Sequence, residues 1–491
     1  MYSKDYKQEL LLALRDRMRQ LLEHWAVAAP SRELPLLDEL RLLFQSIVDE
    51  VLAGDDARLW LAFVAVSGAF PGVDDVEAMK RLRETASPGD FRDRFIARTV
   101  YPARRANGSL GRLRFVSDAV VVDVHGCATS DRHTGIQRVE RETIPRWMRL
   151  HDVELVAWGG ADSWFRRLTA RERERVLEWG ADSAHARREP RPTDVVVPVG
   201  TTIVLPEVAD ARKSSRLEAL ARYSDNSVVA IVYDVIPLTS PELLPRDSGT
   251  DFLDYLRVVR ECDAVAGISR SATEEFRGYF TAVGIDAGVG TRLVTCELPT
   301  DAPTVRAAST PTDAAPLVLC VGSHEPRKNH GTILFAAEKL WREGLEFSLE
   351  FIGGGGWGTD FDDQAQALIK KGRQLKIRKA VSDDELWEVY GRARFTVFPS
   401  LHEGFGLPVA ESLVLGTPVV ATDYGSIAEI AVRGGCLTVD PRNDAEVFTA
   451  MHALLTDDDL HARLSAEAAE IEPRSWDDYA DDLWSSLVAN G

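Results

Sequence analysis

The sequence predicts an α/β protein built from two doubly wound parallel sheets that face each other across a cleft, with an all-helical segment in front. Three observations carry this. From Arg114 onward, short β-branched runs alternate with helical stretches, the pattern of a parallel sheet covered on both faces. A stretch rich in Pro, Thr and Ala interrupts that series near its middle. Residues 1–112 show no strand-like alternation at all.

In residues 1–112, Leu10, Leu11, Leu14, Met18, Leu21, Leu22 and Trp25 recur at helical spacing, and "LPLLDELRLLFQSIVDEVL" does the same. Residues 113–300 hold the runs "RFVSDAVVVDV", "VELVAW", "DVVVPV", "TTIVLP", "SVVAIVYDVIP" and "DAVAGIS". Helical stretches such as 135–149 and 271–284 separate several of them. "LPTDAPTVRAASTPTDAAP" lacks periodicity, so residues 301–316 are expected to be an interdomain linker. A second alternating series fills 317–472: "LVLCVGS", "FSLEFIG", "RFTVFPS", "PVVAT" and "CLTVD". Residues 473–491 are helical again, with packing back on the first α/β domain as one option. In such a pair of domains, ligands bind outside the carboxyl ends of the strands, towards the cleft.

A length of 491 residues gives each domain ample core. The composition, 45% hydrophobic and 27% charged, is that of a soluble globular protein. A net charge of −19 argues against nonspecific nucleic-acid binding, which needs a basic surface. Residues 1–112 hold 17 basic and 17 acidic side chains, so the excess lies in 113–491. Within the helical segment, 78–112 is basic, with nine cations against three anions. Such a segment suits an anionic membrane surface, although packing on the neighbouring domain or homodimerisation through the leucine stripes fits it equally. The five cysteines, at 127, 262, 296, 320 and 436, are scattered and never in C-x-x-C spacing, which fits a reducing compartment and gives no zinc framework. "MYSKDYKQEL" has no apolar signal core, and the longest uncharged run, 59–73, is too short for a membrane span. The expected location is the cytoplasm, with peripheral membrane contact open.

The chemistry concentrates in three stretches. In "LVLCVGSHEPRKNHGTILFAAEKL" a strand ends at Gly322 and a helix starts near Gly331. Arg327 and Lys328 fall in the loop between them, where an anion would be clamped by charge and helix amides, or where a basic pair would simply be solvated. "FIGGGGWGTDFDD" contains a formal G-x-G-x-x-G (Gly353, Gly355, Gly358), but the following strand region "LKIRKA" lacks the acidic residue of a nicotinamide-cofactor site. Its glycines are read as a tight turn, and the D-x-D formed by Asp360 and Asp362 as a solvated loop. "SLHEGFGLPVAESLVLGTPVVATDYGS" places Glu403 in a strand-to-helix loop and Glu411 in the first turns of the helix that Pro408 opens and Gly416 ends. Gly404 and Gly406 would let the main chain pass close to a ligand, and the adjacent helix start would favour a phosphate. Two carboxylates beside an anion make better sense as acceptors for sugar hydroxyls.

On "EGFGLPVAE", "GTPVVATDYGSIAEI", "VGSHEPRKN", "IGGGGWG" and "VSDDELWEVYGRARFTVFPSLHEGFG", the sequence resembles the retaining nucleotide-sugar glycosyltransferases of family 4, with the GT-B fold. "HTGIQRVERE", "IVYDVIP" and "GISRSATEEF" resemble a subset that builds surface polysaccharides, often as mannosyltransferases. The resemblance implies an acceptor-side domain at 113–300 and a nucleotide-sugar domain at 317–472. It implies that Lys328, with Arg327, binds the donor diphosphate. Glu411 would hold the ribose, Glu403 would face the donor sugar, and Phe405, Gly406 and Leu407 would lie against sugar and phosphate. Gly135 matches the glycine loop near the phosphates, and Arg138 of the same motif is expected on the acceptor or sugar side. Gly322 and Ser323 stand where the family often has glycine followed by arginine, so Arg327 is the expected substitute. Tyr233 and Asp234 replace a common His-Asp pair on the sugar and acceptor side. No cofactor or metal is implied, since the basic pair can stabilise the leaving diphosphate. GDP-mannose is the leading donor, with dTDP-rhamnose and UDP-sugars as alternatives, and the acceptor is a saccharide or lipid-linked saccharide. A glycoside hydrolase using both glutamates and a nonenzymatic scaffold are the competing readings.

Overall fold

The computed structural model describes residues 4–102, 110–131, 134–178, 189–245, 248–285, 290–299, 315–357, 359–379 and 381–489. The expected linker, apart from its last two residues, and Gly358 lie outside the described residues.

Five helices come first: α1 (Lys4–His24), α2 (Leu36–Ala53), α3 (Asp56–Ser67), α4 (Val73–Thr85) and α5 (Pro88–Pro102). The apolar stripe expected on α1 is buried at Leu14, Met18, Leu21 and Leu22. α3 is buried at every residue from Leu59 to Val66, as a helix that is apolar all round must be. The Asp55 carboxylate caps its start by accepting from Arg58 N at 3.0 Å.

The first sheet contains β1 (Leu113–Val116), β2 (Val120–Asp123), β3 (Val153–Gly159), β4 (Trp164–Arg167), β5 (Val195–Pro198), β6 (Thr202–Leu205), β7 (Ser227–Val232), β8 (Ala264–Gly267) and β9 (Arg292–Thr295). Their order is β1-β5-β4-β3-β2-β6-β7-β8-β9, parallel throughout except for β4. "RFVSDAVVVDV" therefore holds two strands rather than one. β4 ("WFRR") and β9 ("RLVT") correspond to no expected run, because their arginines break the apolar pattern.

The two faces of this sheet bury different partners. Val122, Leu155, Ala157, Val204, Val229 and Ile231 point to one core, whereas Val121, Val156, Trp158, Ile203, Val228 and Ala230 point to the other. On the second of these faces, β3 returns directly to β4 through a hairpin, and among the described residues no crossover helix covers that part of the sheet. Helices α1–α5 fill that place and share one core with it. Phe70, between α3 and α4, sets its ring 5.1 Å from Phe165 and 6.0 Å from Trp158, and its N–H donates to Ser163 O at 2.8 Å. Buried Arg17 donates to Ala65 O at 2.8 Å. The Gln20 carboxamide bonds both main-chain groups of Leu113, each at 3.0 Å.

The second sheet contains β10 (Leu317–Val321), β11 (Ser348–Ile352), β12 (Leu375–Arg378), β13 (Phe395–Phe398), β14 (Val419–Thr422) and β15 (Cys436–Val439). All neighbours are parallel, in the order β12-β11-β10-β13-β14-β15. The order reverses between β10 and β13, and that switch point is where an open α/β sheet offers its ligand crevice.

The Trp476–Trp484 helix leaves the second domain and packs on the first. Trp147 Nε1 donates to Ala480 O at 2.9 Å, and the Trp484 ring stacks on His151 at 3.7 Å. Tyr479, Leu483 and Leu487 are fully buried there. Together with Phe405, Val409 and Leu413, they join a core that includes the first sheet, so the two domains meet through apolar contact.

Candidate active site

The loops that leave β10 and β13 meet at the switch point. A 3-10 turn at Pro326–Lys328 follows β10 and presents Arg327 and Lys328. Arg327 Nη1 donates to Glu403 Oε2 at 2.6 Å, and Lys328 Nζ to Glu403 Oε1 at 2.5 Å. Ser400 Oγ adds a bond to Glu403 Oε1 at 2.6 Å. Burial would push the Glu403 carboxyl up, but the two cations and the Ser400 hydroxyl hold it down at about 2. The sequence did not mark Glu325, which accepts from Arg327 Nε at 2.6 Å and from Ser323 Oγ at 2.5 Å. Two cations thus face two carboxylates. An incoming anion must compete with Glu403 and Glu325 for the basic pair.

Glu411 lies inside the Leu407–Val414 helix and is buried. The Tyr390 hydroxyl donates to its Oε2 at 2.8 Å, and Arg138 forms an ion pair with its Oε1. Arg138 belongs to the first-domain helix Gly135–Leu150, so this bond crosses the cleft. Gly135, at the start of the same helix, faces the second domain: a Cβ there would lie 3.7 Å from Leu407 Cδ1.

The glycines of the β13 loop have two distinct duties. Gly406 adopts φ +112° as it opens the helix, a conformation that side chains with a Cβ avoid. Gly404 packs against the other domain. A Cβ there would fall 2.4 Å from Tyr233 O, and its own carbonyl accepts from Ser269 Oγ at 2.6 Å. The expectation that Gly404 leaves room for a ligand is corrected, since the space it saves is taken by first-domain backbone.

Tyr233 is likewise turned inward. Its hydroxyl donates to Pro206 O at 2.7 Å and its ring is buried in the shared core, so it does not present a side chain to a sugar. The adjacent Asp234 is shifted upward by burial, while Arg327 and His402 pull the other way. Phe405 is buried in the shared core, which leaves only its backbone for contact with a ligand. Asp360 and Asp362 open the Thr359–Lys370 helix instead of forming a loop, and Asp362 Oδ1 lies 3.2 Å from His324 Nδ1. Among the described residues, Cys127, Glu140 and Glu207 of the first domain form the group close enough to hold a metal, and the D-x-D carboxylates do not.

Two interdomain contacts escaped the sequence. His402 Nε2 is 2.7 Å from Glu275 Oε1, and its Nδ1 is 3.0 Å from Ser240 Oγ. Glu429 accepts from the amides of Arg270 at 3.0 Å and Ser271 at 2.5 Å. Its neighbour Glu403 could have drawn attention to His402. Glu275, beside Glu274, and Glu429 are acids on short helices, a pattern shared by any solvated face.

Residues 301–471 match the family model described as glycosyl transferases group 1. The chain is similar to glycosyltransferases. Two of its relatives are mannosyltransferases of Escherichia coli. The serotype-specific mannosyltransferase WbdA is 28% identical over 335 residues, 64% of this chain and 40% of the relative. O-antigen chain mannosyltransferase B is 34% identical over 166 residues, 32% of this chain and 42% of the relative. The chain therefore spans well under half the length of either. In fold, sucrose-phosphate synthase from Thermosynechococcus elongatus superposes with a TM-score of 0.52 at 16% identity, covering 76% of this chain and 97% of that one. The glycosyltransferase architecture is GT-B: two parallel-sheet domains, here with a helical region of about 100 residues before them. The group 1 match covers the domain that carries Arg327, Lys328, Glu403 and Glu411.

Proposed function

We propose that this protein is a retaining, metal-independent glycosyltransferase that moves a sugar from a nucleotide donor to a saccharide or lipid-linked saccharide during cell-surface polysaccharide synthesis. The observation that carries the reading is the Arg327–Lys328–Glu403 cluster at the switch point of the second sheet. A nucleoside diphosphate leaving group develops charge on its phosphate oxygens, and a guanidinium and an ammonium already gathered at the site stabilise it there once they exchange Glu403 for phosphate. As the diphosphate takes over Arg327 and Lys328, the Glu403 carboxylate is released beside the sugar, where positive charge grows on the ring in the transition state. Glu411 offers acceptor lone pairs to the ribose hydroxyls. No protein base is required, because the donor phosphate can take the acceptor proton on the same face.

Mannose from GDP-mannose is the favoured donor, supported by the two mannosyltransferase relatives. dTDP-rhamnose and UDP-sugars remain the alternatives. The reading puts the enzyme in the cytoplasm, where nucleotide sugars are made, with the inner membrane face as the place to meet a lipid-linked acceptor. Use of Glu403 and Glu411 as the acid and nucleophile of a glycosidase fits less well. A carboxyl held at about 2 is ionised at neutral pH and cannot serve as general acid. The test is sugar transfer to added saccharide acceptors from GDP-mannose, dTDP-rhamnose and UDP-sugars, with excess EDTA and with NMR of the product anomer. Transfer with retention in EDTA is expected. An inverted product, or activity that requires magnesium or manganese, would refute the corresponding part of the reading.

A further inference from the structure

Glu411 has two carboxylate oxygens, and the two domains hold one each. Tyr390, from the Asp383–Arg392 helix of the second domain, donates to Oε2 at 2.8 Å. Arg138, from the first domain, binds Oε1. The Arg138 guanidinium is itself held in an aromatic slot, 6.0 Å from the Trp387 ring centre and 5.9 Å from that of Trp476. Trp387 is on the same helix as Tyr390, and Trp476 opens the C-terminal helix that packs across onto the first domain. Three segments converge on one guanidinium, and the guanidinium points at one carboxylate.

Each of the two bonds uses one lone pair of its oxygen, which leaves a second on each for a vicinal diol. The carboxylate is thereby fixed in direction without being saturated. Were the domains to part, Arg138 would leave with the first domain, and Oε1, now open to water, would lose the partner that fixes its direction while Tyr390 held Oε2 alone. The geometry that readies Glu411 for a ribose is therefore the closed one.

We propose, resting on the transferase reading above, that Arg138 is a positioning residue that orients Glu411 across the cleft, so that nucleotide binding and domain closure are linked. Linkage is reciprocal: closure favours the nucleotide by the same factor as the nucleotide favours closure. Arg138 acts through Glu411 and need not touch the donor.

Calorimetry on the full chain with GDP, UDP and dTDP first identifies the tightest of the three. That nucleotide is then titrated into Arg138→Met, Arg138→Lys and Tyr390→Phe, with small-angle scattering before and after. Loss of a hydrogen bond to a charged group predicts binding weaker by roughly ten- to a hundredfold in Arg138→Met. Its radius of gyration should also exceed that of the wild type and contract less on adding nucleotide. Arg138→Lys restores the charge without the planar fork and should recover part of both effects. Tyr390→Phe should weaken binding yet contract as the wild type does, because its bond lies within one domain. Binding by Arg138→Met that is unchanged or tighter, with unaltered scattering, overturns the proposal, since it would mean that Arg138 only packs or that the ribose displaces it. Should Arg138→Met fail to fold, Arg138→Lys decides by the same two readings. If the wild type binds none of the three nucleotides, the transferase reading itself falls, an outcome distinct from failure of the linkage.

Discussion

Glu403 sits where a diphosphate would be neutralised, and that sets its behaviour. Its carboxyl is held at about 2, against an ordinary 4.5, because Arg327 and Lys328 outweigh the burial that opposes them. A depressed carboxyl contributes stability that is present above its ordinary value and is lost as pH falls through the folded one. The cluster should therefore hold across the neutral range and fail only in strong acid, near pH 2. Glu403→Gln removes the anion that occupies the basic pair. The variant should melt lower than the wild type without ligand, gain more in melting temperature from a saturating nucleoside diphosphate, and turn over more slowly. A variant that loses nucleotide binding altogether would show that Glu403 serves the nucleotide and not the sugar. Glu411→Ala makes the opposite prediction: nucleoside diphosphate binding should fall roughly ten- to a hundredfold, measured by calorimetry. The two acids were legible in the sequence because their spacing around a glycine turn is unusual. Arg327, Lys328 and Arg138 were marked as well, but their pairing with these acids was not legible. Glu325 hides inside a polar loop, and Arg138 is 273 positions from Glu411.

The β13 loop is an interdomain hinge contact as much as a ligand loop. Gly404 meets Tyr233 O so closely that a methyl group has no room. Gly404→Ala should force the domains apart, which scattering would register as a larger radius of gyration; an unchanged radius would mean that the loop yields instead. The same loop carries His402. Burial lowers the imidazole's pKa, but the bond and charge of Glu275 more than offset this and leave it raised. A raised histidine contributes stability that is fully present below its ordinary value, ~6.5, and is lost as pH climbs through the folded value. The melting-temperature gap between wild type and His402→Gln should be widest below the ordinary histidine value and narrow as pH rises above it. A gap independent of pH would assign His402 a packing role only. Strand and helix positions in this domain could be read from the sequence, since apolar runs such as "RFTVFPS" and "PVVAT" carry their own period. Which face of a loop meets the neighbouring domain has no period, so neither the Gly404 contact nor the His402 pair could be read.

At the scale of the whole molecule, the helices of residues 4–102 complete a layer that the first domain lacks. Because β3 turns back to β4 in a hairpin and, among the described residues, no crossover helix covers that face, Val121, Val156, Trp158 and Phe165 pack against α1–α5. Deleting residues 1–112 should yield aggregated protein, with no soluble fraction that melts cooperatively. A truncated chain that purifies as a folded monomer would show that the layer is dispensable. Sequence composition hinted at something different, because 78–112 is rich in cations. In the fold, Lys80 and Arg83 both pair with Asp56, Arg81 with Glu77, Arg92 with Asp93 and Arg98 with Asp75. Five of the nine cations are thus answered by acids of the helical layer, and charge so answered is poorly placed to seek phospholipid. Sedimentation with anionic vesicles at low salt should leave the protein in the supernatant, and co-sedimentation would reinstate a membrane role. The count of charges was visible in the sequence, but their pairing depends on how the helices pack.

The Gln20 carboxamide carries a consequence of another kind. β1 is the outermost strand of the first sheet, and its free side would display main-chain donors and acceptors to any passing strand. By offering its own oxygen to Leu113 N and its own nitrogen to Leu113 O, Gln20 imitates one residue of a neighbouring strand and closes that template. Replacement by leucine would strip both main-chain groups of buried Leu113 of that partner and leave a sticky border, so the change should appear as a lower melting temperature together with concentration-dependent self-association and fibril seeding.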